Sequence, residues 1–173
     1  DSTYSRTDTW MFNGTTWTLL PPSSSLPLVD AKYVFDSKRS QLLGISGYFR
    51  TGGGSSTDLW LGDANGGWKR DPGTSVPPAR NFIGMPGGPL GTAMTFGGDG
   101  TTPRSDTWVL DGNRWEEKLP ATHPPARRTG ALAFDTKRQV DVLFGGTDGA
   151  QVPMNDTWEW DGTNWTLKQP AVK

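Results

Sequence analysis

An acidic residue, one spacer and a tryptophan recur four times along the chain, and each time a second tryptophan follows seven or eight residues later. The copies are Asp8-Thr9-Trp10 with Trp17, Asp58-Leu59-Trp60 with Trp68, Asp106-Thr107-Trp108 with Trp115, and Asp156-Thr157-Trp158 with Trp165. Successive leading tryptophans stand 50, 48 and 50 residues apart. A period of that length belongs to stacked supersecondary units, each of which buries its apolar face only against its neighbours.

The last copy shows the grammar of one unit. Thr129 to Asp135 is a short apolar run that ends in a turn at Asp135-Thr136-Lys137-Arg138. Val140 to Phe144, rich in β-branched residues, follows and stops at Gly145-Gly146. A polar loop then leads to Asp156–Trp160, where Thr157 alternates with two tryptophans, the period of a half-buried strand. Asp161-Gly162 is a hairpin signal, since primed turns need the positive φ that Asp, Asn and Gly tolerate, and Asn164 to Lys168 closes the unit. The spacing predicts four short antiparallel strands in about 50 residues, the content of one propeller blade.

The other copies follow suit. Asn13-Gly14 and Asp111-Gly112 supply outer turns, and Asp63 to Gly67 is a longer version. The diglycine recurs as Gly97-Gly98 and, weakened, as Ser46-Gly47, where the backbone is expected to turn sharply or pass close to a neighbour. Pro77-Pro78-Ala79-Arg80 and Pro124-Pro125-Ala126-Arg127 are extended links between units. The corresponding stretch Leu26-Pro27-Leu28-Val29 lacks the arginine.

Composition narrows the function. Seventeen basic and eighteen acidic residues leave a net charge of -1, so no global field favours nucleic acid or an anionic membrane. Apolar residues are only 33%, yet nine tryptophans supply burial in parcels of roughly 150–250 Å² each, which argues for a folded chain. Without cysteine there is no disulfide, thiolate ligand or thiol nucleophile, and the single histidine, His123, allows neither a histidine metal cluster nor a paired-histidine acid and base. No apolar stretch approaches the roughly 20 residues of a membrane-spanning helix. No cofactor and no catalytic group is therefore expected.

An apolar strand, a diglycine and two tryptophans flanking an Asp-Gly turn, repeated at about 50 residues, resemble the kelch repeat in its tryptophan-rich bacterial form. The resemblance covers nearly the whole chain and implies an all-β, kelch-type propeller or partial propeller. It divides residues 1–173 into an outer half-blade at 1–20 and blades at 29–70, 80–119 and 127–168, about three and a half four-stranded antiparallel blades. Closed propellers have 4 to 8 blades. With Asp1 at its start, the expectation is a portion of a larger propeller or a piece completed by another chain, with a four-bladed ring holding one two-stranded blade as the competing account.

Within that frame Trp10, Trp17, Trp60, Trp68, Trp108, Trp115, Trp158 and Trp165, with Gly97, Gly98, Gly145 and Gly146, have structural parts. The repeated Asp8, Asp58, Asp106 and Asp156 lie in equivalent places in separate units and cannot share a metal. They are expected to accept backbone N–H groups at strand starts. Kelch propellers that hold acidic peptides line the mouth of the ring with arginines from the link and from the loop after the diglycine. The resemblance therefore points to Arg80, Arg127, Arg50 and Arg104 as partner contacts that capture carboxylates, with Tyr48 and Phe49 as an apolar wall. The competing reading braces an arginine against strand-end carbonyls or against an Asp of its own repeat. The expected function is a non-enzymatic scaffold presenting loops to a protein partner, extracellular, periplasmic or at the cell surface. The alternative is carbohydrate binding or glycan processing, with indoles as stacking platforms. Asp161 and Gly162 are adjacent, unlike their counterparts in the Asp-box of sialidases. The acceptor patterns at Asn13, Asn155 and Asn164 fall inside the repeat's own turn and strand code.

Overall fold

The computed structural model describes residues 8–20, 28–29, 32–36, 40–45, 47–49, 55–56, 58–63, 67–71, 77–78, 80, 86–88, 92–99, 102–112 and 114–169. Among these the chain is all-β, with sixteen strands in five antiparallel sheets and no helix. The first sheet is a hairpin of β1 (Trp10–Phe12) and β2 (Trp17–Leu19). The second runs β4 (Lys32–Asp36), β5 (Gln41–Ile45), β8 (Trp60–Gly62), β9 (Trp68–Arg70). The third comprises β10 (Ala93–Phe96), β11 (Thr107–Asp111) and β12 (Arg114–Lys118). The fourth is a meander of β13 (Ala131–Asp135), β14 (Val140–Phe144), β15 (Thr157–Trp160) and β16 (Trp165–Lys168).

A small extra sheet was not foreseen. In it β6 (Gly47–Phe49) pairs with β3 (Leu28–Val29) on one side and β7 (Ser55–Ser56) on the other, tying a link to the loop after the weakened glycine pair. Residues 81–85, where the third unit's first strand was expected, and Ser46 lie outside the described residues. Next to them Gly87 bridges Ala93.

Turn chemistry explains where the strands reverse. Trp160 pairs with Trp165, so residues 161–164 form a four-residue loop rather than a two-residue primed turn. Asp161 Oδ1 accepts the N–H groups of Thr163 and Asn164, both at 2.8 Å, and Gly162 takes φ +97°. Asn13 does the same for Thr15 and Thr16 in the first hairpin. Asp111 pairs with Arg114, so that hairpin alone of the three keeps the two-residue loop, with Gly112 at φ +62°.

Burial lies between sheets. One apolar cluster joins Leu43, Ile45 and Leu59 of the second unit to Ala93, Leu110 and Trp115 of the third. Another joins Met94 and Phe96 to Leu143, Trp160 and Trp165 of the fourth. β10 serves both: the side-chain alternation of a strand sends Ala93 to one cluster and Met94 and Phe96 to the other. Trp115 and Trp165, the second tryptophans of the third and fourth units, are the wedges. Phe96 meets Trp165 edge-on at 5.1 Å between ring centres, and the Trp165 indole donates to Thr107 Oγ1 at 2.9 Å. Among the described residues no strand pairing joins the first hairpin to the last sheet. Phe96 is 3% exposed, whereas Phe144, which holds the same place before the next diglycine, is 54% exposed.

Candidate functional site

The links, diglycines and repeated aspartates converge in the bracing that the competing reading of the link arginines describes, against strand-end carbonyls and an Asp of the same repeat. Arg80 leaves the Pro77-Pro78 link and enters the third unit, where Nη1 and Nη2 donate to Asp106 Oδ1 and Oδ2 at 2.7 and 2.6 Å. Its Nη1 also donates to the Gly97 carbonyl and its Nε to that of Pro78, each at 2.9 Å. Arg127 repeats this in the fourth unit with Asp156 at 2.6 and 2.7 Å, Gly145 at 2.9 Å and Pro125 at 3.1 Å. The planar fork of arginine matches a carboxylate in two parallel bonds, which a lysine cannot do. The indoles of Trp108 and Trp158 add a donor each, at 2.8 and 2.7 Å.

These clasps relocate two of the expected partner contacts. Arg80 is 0% and Arg127 1% exposed, so both guanidinium groups lie inside the molecule, each making four hydrogen bonds to its own link and repeat. Asp106 and Asp156, expected to take backbone N–H groups, each take one and add guanidinium and indole donors to it. The Arg127 bonds hold the Asp156 carboxyl down at about 2 against a smaller rise from burial, with Trp158 and the Arg127 charge assisting. At Asp106 burial pushes upward, and the Arg80 bonds and charge together with the Trp108 indole outweigh it, leaving that carboxyl below its ordinary value. In the second unit, where Val29 stands in place of the link arginine, Arg70 of β9 donates to Asp58 at 2.7 Å. That substitution came from a strand and carried no signal in the link.

The glycine pairs make room for the clasp. A Cβ on Gly97, at φ +66°, would lie 2.6 Å from the Arg127 carbonyl oxygen, and one on Gly146, at φ +103°, 2.7 Å from that of Arg128. The crowding arises because the link pairs with the loop beyond the diglycine: Gly98 N–H donates to Arg127 O, Arg127 N–H to Arg104 O, and Arg128 and Thr147 exchange bonds.

This stitched rim carries the remaining candidate. Pro78, Thr102, Pro103, Arg104, Trp108 and Glu117 are among the residues around an open cleft of about 390 Å³. Arg104 is half-buried, and its Nε, screened from solvent, has no hydrogen-bond partner. Beside the rim Arg128 pairs with Asp99 at 3.0 Å. Arg128 went unnoticed in the sequence because it follows the repeated Arg127 and reads as part of the link. Arg50 lies outside the described residues, and of Tyr48 and Phe49 only the backbone in β6 is described.

Other ionisable groups are placed plainly. His123 is exposed, with Nδ1 2.9 Å from the Pro124 carbonyl oxygen. Asp141 is buried on the core side of β14, its Oδ1 without a hydrogen-bond partner, and desolvation pushes its carboxyl up to about 7. Among the described residues no three His, Asp or Glu side chains gather as metal ligands, and no helix is long and apolar enough to cross a membrane. Compared with known proteins, the chain matches no family model and no curated protein.

Proposed function

We propose that the chain is a kelch-type propeller module, or an arc of one, that binds a protein partner through its rim loops without catalysing a reaction, in an extracellular, periplasmic or cell-surface setting. One observation carries this reading. The charged residues that repeat are consumed by the internal clasps Arg80–Asp106 and Arg127–Asp156, whereas Arg104, Trp108 and Glu117 line an open cleft beside loops that differ from unit to unit. An acidic partner side chain would meet the half-buried Arg104 guanidinium in this cleft, and Trp108 offers the rigid aromatic contact typical of binding hot spots.

Photo-crosslinking tests it. A photoreactive residue at Thr102, on the rim, captures the partner, and the same residue at Glu116, on the outer strand β12, does not. Capture only from Glu116 would defeat the loop reading. A saccharide is the second reading, drawn from the Trp108 ring and the Glu117 carboxylate in one cleft. Glycan-array binding that disappears in Trp108→Ala but survives in Arg104→Ala would favour it.

A further inference from the structure

The first hairpin matches the outer two strands of a repeat unit, and among the described residues its inner edge is unpaired. In every other unit the strand that carries the leading tryptophan is paired on both sides: β8 lies between β5 and β9, β11 between β10 and β12, and β15 between β14 and β16. Among the described residues β1 pairs only with β2. The bonds from Leu20 N–H to Thr9 O and from Asn13 N–H to Thr16 O turn Thr9 and Asn13 toward β2. Because backbone polar groups alternate sides along a strand, the N–H and C=O of Trp10 and Phe12 face the open edge. An edge of this kind is a template for strand addition.

Beside it lies a cleft of about 490 Å³ whose walls include Met11, Phe12, Phe35, Leu42 and Trp68. The completed junctions show what fills the equivalent space. Between the third and fourth sheets it is filled by Met94 and Phe96 of β10, with Phe96 edge-on to Trp165. Between the second and third it is filled by Leu43 and Ile45 of β5, packed with Trp115. Trp68 occupies in the second sheet the register of Trp115 and Trp165, since Gly62–Trp68, Leu110–Trp115 and Trp160–Trp165 are corresponding pairs.

The geometry points to the β1 edge and this cleft as a docking site for an extended polypeptide strand supplied from outside the described hairpin. The strand adds antiparallel to β1, bonds to Trp10 and Phe12, and inserts two apolar side chains two residues apart. The second of these, aromatic or branched and followed by glycine, sits against Trp68. β14 carries this pattern, with Val142 and Phe144 before Gly145. Main-chain bonds would give affinity and the alternate side chains specificity, as in strand-addition complexes generally. The site lies away from the rim cleft, so its failure leaves the loop reading untouched, and the reverse holds as well.

The test uses the full 173-residue chain and a synthetic peptide with the sequence of residues 126–147, read by amide hydrogen exchange. At peptide about tenfold above its Kd, the Trp10 and Phe12 amides should exchange about tenfold more slowly. A peptide carrying Val142→Asp and Phe144→Asp should give no protection, and Leu42→Asp in the chain should weaken binding while the Arg127–Asp156 clasp keeps its own exchange protection. No slowing at β1 with saturating peptide, equal slowing by both peptides, or slowing confined to β13 or β16 would overturn the inference.

Discussion

Trp165 and Thr107, 58 residues apart in sequence, share a buried hydrogen bond of 2.9 Å that crosses from the fourth sheet to the third. The same indole stacks edge-on against Phe96, so one side chain supplies both apolar area and a directional contact between repeats. Trp165→Ala should cost about 3–5 kcal/mol. Trp165→Phe keeps the ring but leaves the Thr107 hydroxyl without its donor, and should cost about 1–3 kcal/mol. Urea denaturation of the two variants checks the order, and a Trp165→Phe cost equal to that of Trp165→Ala would assign the whole effect to the hydrogen bond.

Arg127 and Asp156 form a pair that is expensive to break from one side. Arg127→Ala leaves the Asp156 carboxylate with only the Trp158 indole among its side-chain donors and strands the Gly145 carbonyl, and should cost about 3–5 kcal/mol. Arg127→Met with Asp156→Leu should recover part of that loss, because no lone charge remains. Arg70→Ala, which removes the exposed stand-in at Asp58, should shift the denaturation midpoint far less.

Gly97 and Gly162 both have positive φ but differ in surroundings. At Gly97 an added Cβ meets backbone at 2.6 Å, whereas at Gly162 nothing lies within 4 Å. Gly162→Ala should therefore carry only the conformational penalty, about 1 kcal/mol. Gly97→Ala should cost more, because the Arg127 link has to move. Comparable thermal midpoints for the two would contradict the close link-to-loop stitching.

Much of this architecture was legible before any coordinates. β14 spans the run from Val140 to Phe144 that composition and the following glycines mark, and β15 and β16 begin within a residue of their expected starts. Alternation and glycine punctuation are local signals, and they carried the strands. The clasps were not local: Arg127 finds Asp156 through the path of a whole unit, and the sequence offered bracing against an Asp of the same repeat beside partner capture without naming which Asp. The four-residue loop at 161–164 was missed because Asp161-Gly162 suits either turn, and the Asx bonds of Asp161 decide between them. Arg70 as the stand-in for a missing link arginine follows from the pairing of Trp60 with Arg70, a register that composition does not fix.

Two carboxyl groups give stability opposite pH slopes. Asp156 is held at about 2, below its unfolded value of about 3.9, so its contribution is complete above the unfolded value and fades as pH falls from about 4 to 2. Asp141 is raised to about 7, so the native state binds its proton more tightly, and that contribution is full below about pH 4 and lost as pH rises to 7. Urea midpoints across pH 2–8 should show both slopes. Asp141→Asn should remove the fall between pH 4 and 7, and Asp156→Asn should make the fall below 4 shallower, with Asp106 still contributing to it.

The account stands on second tryptophans wedged between successive sheets, and solvent exchange of the indole Nε1–H protons tests that most directly. Trp115 and Trp165 are each 1% exposed, whereas Trp17, in the same place on the open first hairpin, is 64% exposed. Nuclear magnetic resonance should find the Trp115 and Trp165 indole protons exchanging slowly and that of Trp17 exchanging freely. Free exchange at all three would contradict the stacked-repeat architecture.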